Sequence, residues 1–182
     1  MSWIGFKKKW VGQERTKHGR AERTSCLILD SQSVKNTDTA QEKGYDAGKK
    51  VSGIKRHLAV DTAGRPHAID VTPANSSDIK GGRLLLEANK KHLTEVKVVI
   101  VDGAYAGEAF ANAVKDALNA TVTVVKPFEP HTFKVLPKRW VVERTFAWLD
   151  KYRRLWKNCE RSLKTSKAMI QFAIIALLLK RS

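Results

Sequence analysis

Cysteine is scarce in this chain of 182 residues: Cys26 and Cys159 stand far apart and outside any C-x-x-C pattern. That excludes a disulfide framework and indicates no structural zinc site. No apolar stretch approaches the roughly 20 residues needed to cross a bilayer; the longest, Phe172 to Leu179, reads as a buried helix end. The N-terminus, Met1 to Trp10, carries consecutive lysines but lacks the apolar core of a signal peptide, so export is not expected and the cytoplasm is. Acidic residues are also in deficit, 18 Asp and Glu against 34 Lys and Arg, which leaves a formal charge of +16. A polyanionic partner, nucleic acid first, is favoured over a small neutral substrate. No internal repeat or low-complexity tract interrupts the chain, and 42% apolar residues suffice for one buried core.

Residues 1–24 are polar and basic, with Trp3, Phe6 and Trp10 as isolated apolar anchors, and read as a leader lying on a domain of residues 25–182. Cys26 to Leu29 is an apolar run ending in Asp30, the pattern of a central strand buried on both faces. Asn36 to Gly53 shows no sustained period and is expected to be a basic loop. Lys55 to Asp61 and Pro66 to Val71 flank a turn-sized gap containing Gly64, which predicts a hairpin. Asp78 to His92 has helical spacing, with Ser76 or Ser77 as N-cap. Glu95 to Val101 is a β-branched run that stops at Asp102 and predicts a second central strand. Phe110, Val114 and Leu118 give the next helix an apolar side, and Thr121 to Val125 makes a fifth strand. A turn-rich stretch to Pro137, a helix over Lys138–Trp156 and a last helix over Ser166–Lys180 complete an α/β pattern: a mixed five-stranded sheet flanked by helices.

A carboxylate at the end of a buried strand is costly unless it is paired, hydrogen-bonded or bound to a metal. Asp30 and Asp102 both occupy such ends, and Glu143 lies on a helix able to pack on the same sheet. Three close carboxylates repel one another, and hard cations such as Mg²⁺ or Mn²⁺ relieve that repulsion while keeping sites for water and phosphate oxygens. Arg139 and Glu143 share one helix face, whereas Val142, Phe146 and Leu149 form a separate apolar stripe. Beyond Glu143, the basic residues Arg144, Lys151, Arg153 and Arg154 are interleaved with Trp148, Tyr152 and Trp156, and phosphate contacts are expected there because of their proximity to Glu143. Lys49, Lys50, Lys55 and Arg56 form a second basic track. Tyr105, His57, His67, Asp61 and Asp70 are read as structural, the histidines through cross-strand contact.

The segments around these acids resemble the IS5-type branch of the IS4-like insertion-sequence transposases, from about Leu27 to the C-terminus. Leu-Asp-Ser-Gln-Ser-Val-Lys (residues 29–35) matches the segment of that family's first aspartate, and Val-Asp-Gly-Ala-Tyr-Ala-Gly (101–107) that of its second. Gly-Tyr-Asp-Ala-Gly-Lys-Lys-Val (44–51) looks like its basic loop. Leu-Pro-Lys-Arg-Trp-Val-Val-Glu-Arg-Thr-Phe-Ala-Trp-Leu (136–149), followed by Tyr-Arg-Arg-Leu (152–155), resembles its glutamate helix. Around that acid the wider signature spaces Tyr, Arg, Glu and Lys. Here Arg139 and Glu143 keep the interval, Leu136 stands at the Tyr position, and Asp150 stands at the Lys position with Lys151 next.

The resemblance implies a ribonuclease H-like fold and a DDE site of Asp30, Asp102 and Glu143. It implies two Mg²⁺ or Mn²⁺ ions with DNA bound, Asp30 bridging them, and Asp102 and Glu143 holding one each. The reaction implied is phosphodiester hydrolysis and strand transfer on double-stranded DNA, at transposon ends and target, by a homodimer associated with the nucleoid. The end-recognition region usual in that family is not expected in a chain that begins so shortly before Asp30. Two other readings fit the sequence: a non-catalytic DNA-binding fragment or regulator of transposition, and an RNase H-like nuclease without strand transfer.

Overall fold

Apolar runs that bury both faces set the centre of the molecule. The computed structural model describes residues 3–125 and 140–180. In chain order it runs α1 (Trp3–Lys17), β1 (Cys26–Lys35), β2 (Gly44–Asp46), β3 (Val51–Val60), β4 (Pro66–Pro73) and α2 (Asp78–Asn89). It continues with β5 (Val98–Asp102), α3 (Glu108–Leu118), β6 (Thr121–Val125), α4 (Trp140–Asp150) and α5 (Leu163–Leu179). Strand β1 lies at the centre, antiparallel to β3 and parallel to β5, and β6 continues the sheet parallel to β5. Beyond β3, the long β4 and the three-residue β2 share its far side. The result is a mixed sheet of five principal strands with one short addition, the ribonuclease H-like arrangement expected.

Alternation along the strands sorts side chains into two layers. Ile28, Ile54, Leu58 and Val60 pack with Val142, Phe146 and Leu149 of α4 and Ile170 and Ile174 of α5. Leu27, Leu29, Ala59, Val99 and Val101 pack instead with Leu85 and Leu86 of α2 and Phe110 and Val114 of α3. Full burial of each such aliphatic side chain contributes roughly 1.5–3 kcal/mol. A one-residue slip of β1 would exchange the two sets, so the register that places Asp30 is strongly specified.

Local signals set the helix ends. Ser77 Oγ accepts from Lys80 N at 3.2 Å to start α2, and Ser162 Oγ accepts from Thr165 N at 3.2 Å to start α5. Gly81 lies so close over His57 that a Cβ there would fall 2.0 Å from the imidazole, so only glycine lets α2 seat on β3.

Four expectations need correction. Strand β1 does not end at Asp30 but continues to Lys35, because β3 pairs with it from Ile28 to Lys35. The 36–53 stretch is not simply a loop: Gly44–Asp46 pairs with Val51–Gly53 around a tight turn carrying Lys49 and Lys50. The helix read over Lys138–Trp156 stops at Asp150. There Arg56 draws in the Leu155 carbonyl, and Asn158 N donates to Lys35 O at 2.8 Å, so tertiary bonds override the helical pattern. Residues 3–17 form α1, whose Val11 enters the core beside α5. The turn-rich stretch from Lys126 to Pro137 lies outside the described residues.

Candidate catalytic site

Two of the three acids come together through the sheet itself. The parallel pairing of β1 and β5 is registered through Ile28 and Ile100, and two residues further along each strand stands an aspartate, Asp30 and Asp102. Side chains alternate with period two, so both share the face of Ile28 and Ile100, the face covered by α4. Both are half-buried. Asp102 ends its strand, and the crevice beyond the carboxyl ends of parallel strands is where ligands of open α/β sheets bind. Backbone amides orient each carboxylate: Ser31 N donates to Asp30 Oδ1 at 2.7 Å, and Ala104 N to Asp102 Oδ1 at 3.0 Å.

Glu143 lies in the first turn of α4 and is exposed, while Val141, Val142, Thr145, Phe146 and Leu149 are buried. Asp150, two turns later, occupies the same flank of the helix. Its Oδ2 accepts from Gln32 Nε2 at 2.7 Å, and Gln32 stands two residues beyond Asp30 on the same sheet face. That flank therefore borders the strand that carries Asp30. Among the described residues, no group of three His, Cys, Asp or Glu side chains is gathered closely enough to hold a metal ion. Two aspartates at equivalent positions on neighbouring parallel strands, and a glutamate on the helix flank that borders β1, are what the fold supplies.

Behind this site, on the α2 face, lies a polar network that strand periodicity did not reveal. Ser31 Oγ donates to Asp78 Oδ1 at 2.7 Å, and Ser33 Oγ to Asp46 Oδ2 at 2.6 Å. Burial pushes the Asp78 carboxyl up, but hydrogen bonds from Ser31 and Lys55 win and hold it below the ordinary range. The hydrogen bond from Ser33 is the main cause of the lowered Asp46 pKa. The only warning in the sequence is the unbroken polar run Asp30-Ser31-Gln32-Ser33 inside a strand. Tyr105 packs on Phe110 with ring centroids 5.1 Å apart. Burial, then the charges of Asp78, Asp30 and Asp102, raise its pKa and keep the phenol neutral.

The basic residues separate into two sorts. Lys55 and Arg56 are buried: Lys55 pairs with Asp78 at 3.0 Å and Asp46 at 3.5 Å, and Arg56 pairs with Asp150 at 3.3 Å. Both hold the fold rather than face a ligand, so the phosphate contact expected of them is withdrawn. Arg144 is held between Trp140 and Trp148, its guanidinium carbon 4.6 Å from each ring. Lys49, Lys50, Lys151, Arg153 and Arg154 are exposed, with Arg154 also paired to Glu160 at 2.6 Å. Arg139 lies outside the described residues. The structural reading of the remaining groups has a concrete basis. His57 Nε2 is 2.9 Å from Thr72 Oγ1, Asp61 binds Arg15 and its own turn, and Lys167 pairs with Asp70 at 2.9 Å.

Comparison with known proteins decides the family. The sequence profile of the transposase DDE domain matches residues 21–179. The chain belongs to the transposase DDE domain family. Over 116 residues it is 33% identical to a Burkholderia cepacia protein assigned to insertion sequence element IS402 as its transposase. That match covers 60% of this chain and 54% of the relative, so the chain spans about half the length of the curated relative it matches. A chain in the cryo-electron microscopy structure of the simian T-cell lymphotropic virus intasome with PP2A regulatory subunit B56 gamma shares the fold. The TM-score is 0.56 at 18% identity, over 82% of this chain and 48% of that one. The catalytic domain of Mos1 mariner transposase overlays more loosely, at TM-score 0.48 and 9% identity over 96% of this chain and 88% of that one, and adds nothing to the assignment.

Proposed function

We propose that this member of the transposase DDE domain family cuts and joins DNA at transposon ends, through a divalent-metal site made by Asp30, Asp102 and Glu143. The observation that carries this reading is the pair of aspartates at equivalent positions on neighbouring parallel strands, on the sheet face under the helix that bears Glu143. Their donor set fits Mg²⁺ or Mn²⁺: all-oxygen, anionic and half-buried, with Asp102 at the carboxyl end of its strand. Bound ions of this class activate a water for in-line attack on a phosphodiester and stabilise the leaving 3′ oxygen. The chain's own work is to hold the carboxylates. The Ser31 and Ala104 amides fix two of them, and the flank of α4 brings the third alongside when ions and DNA assemble.

In this reading Asp30 would be the shared ligand, while Asp102 and Glu143 would hold one ion each. Double-stranded DNA lies across the α4 side, met by Lys151, Arg153, Arg154 and Arg139, with Lys49 and Lys50 at a second point of contact. Strand transfer needs two ends, so a homodimer on DNA is proposed, within the IS5-type branch and in association with the nucleoid. No helix of the described residues is long and apolar enough to cross a membrane.

The test is incubation with a supercoiled plasmid carrying the element ends, in Mg²⁺, Mn²⁺ or chelator, beside Asp102→Asn. Metal-dependent cutting that disappears in the variant is expected. Cutting in chelator, or undiminished cutting by Asp102→Asn, contradicts the proposal.

A further inference from the structure

The helix bearing Glu143 is gripped at its first turns by the loop joining β3 to β4. That loop is rigid for identifiable reasons. Asp61 Oδ1 accepts from the backbone amides of Ala63 at 2.9 Å and Arg65 at 3.0 Å, and the buried Asp61 Oδ2 takes the guanidinium of Arg15 from α1. Two successive carbonyls of the loop then meet α4. Ala63 O accepts from Arg144 Nη2 at 3.1 Å, and Gly64 O lies 3.2 Å from Thr145 Oγ1, sharing that hydroxyl's single proton with Val141 O at 3.0 Å. Gly64 has φ +84°, and a Cβ there would lie only 3.1–3.2 Å from Thr145 Oγ1, Arg144 Nη2 and Val141 Cγ1. The approach therefore depends on glycine both for backbone conformation and for space.

Arg144 and Thr145 directly follow Glu143, at successive steps of about 100° around the helix. Holding two of these directions to one loop restrains rotation of α4 about its axis. Glu143 projects from the flank opposite the loop. We propose that Arg144 and Thr145 are positioning residues: through the β3–β4 loop, braced from behind by Arg15, they fix the rotation of α4 and so set where Glu143 stands relative to Asp30 and Asp102. This rests on the carboxylate site proposed above. It also gives Arg144 a role other than the phosphate contact that its charge suggests.

The experiment titrates Mn²⁺ by calorimetry into the full chain bound to a DNA duplex, comparing parent, Arg144→Met, Thr145→Val and Glu143→Gln. Duplex affinity in chelator and thermal melting are measured on the same samples. Arg144→Met and Thr145→Val are expected to keep the duplex affinity and a cooperative melt while weakening Mn²⁺ binding roughly tenfold, as loss of an outer support of a metal ligand does. Thr145→Val exchanges the hydroxyl for a methyl and carries the test alone if Arg144→Met does not fold. Parent-like Mn²⁺ binding in both variants, with binding lost in Glu143→Gln, overturns the positioning role and leaves the carboxylate site standing. So does a drop in duplex affinity in chelator as the sole effect of Arg144→Met, which is the mark of a phosphate contact. Parent-like Mn²⁺ binding in Glu143→Gln removes the site and the proposal together.

Discussion

Lys55 Nζ lies 3.0 Å from Asp78 Oδ1 and 3.5 Å from Asp46 Oδ2, directly behind the strand that presents Asp30. Ser76 O accepts from the same ammonium at 2.9 Å. One cation thus ties the end of β2 and the start of α2 to the back of β1, and the site is supported from its reverse side.

Lys55→Met is expected to destabilise the fold by roughly 1–3 kcal/mol, because it leaves two half-buried carboxylates without their ammonium partner. Urea unfolding measures this loss. The salt dependence of DNA affinity should stay unchanged in the variant, since a buried lysine releases no counterions. A flatter salt slope at unchanged stability would restore Lys55 to the DNA surface.

His57 makes stability sensitive to pH. Burial lowers its pKa from 6.5 to about 4, with Asp78 opposing. Between those values the unfolded chain binds a proton that the folded chain refuses. The stabilising contribution is therefore complete above 6.5 and is lost as pH falls towards 4, by an amount on the order of 3 kcal/mol. Denaturation midpoints measured across this window should fall with pH, and His57→Gln should flatten the fall. An identical slope in parent and variant would assign the acid sensitivity to other groups.

Lys151 and Arg153 sit in the exposed turn that follows α4. If both meet phosphates, Lys151→Ala combined with Arg153→Ala should lower the log–log salt slope of duplex binding by about 2, roughly 0.9 for each phosphate no longer neutralised. Fluorescence anisotropy at several salt concentrations gives the slope. No change would place the DNA elsewhere on the surface.

Much of the scaffold was legible because strong apolar runs have few alternatives. Leu27–Leu29 and Val98–Val101 had to be central strands, and Phe110, Val114 and Leu118 had to face the sheet. The aspartates were visible as charges interrupting those runs. What was hidden is tertiary. Nothing in the period of Lys138–Trp156 shows that Arg56 will take the Leu155 carbonyl and end the helix early. Composition alone cannot separate buried Lys55 and Arg56 from exposed Lys49 and Lys50, because that difference is set by Asp46, Asp78 and Asp150, far away in sequence. The Trp140-Arg144-Trp148 stack had a usable signal, since residues four apart share a helix flank.

The central claim is that Asp30, Asp102 and Glu143 jointly hold divalent ions at DNA. Anomalous diffraction from crystals of the protein–DNA complex grown with Mn²⁺ tests it directly. The account predicts Mn²⁺ peaks roughly 2.1 Å from carboxylate oxygens of Asp30 and Asp102, with Glu143 drawn in to complete the set. Peaks confined to other residues, or Asp30 and Asp102 bare of metal with DNA in place, would contradict it.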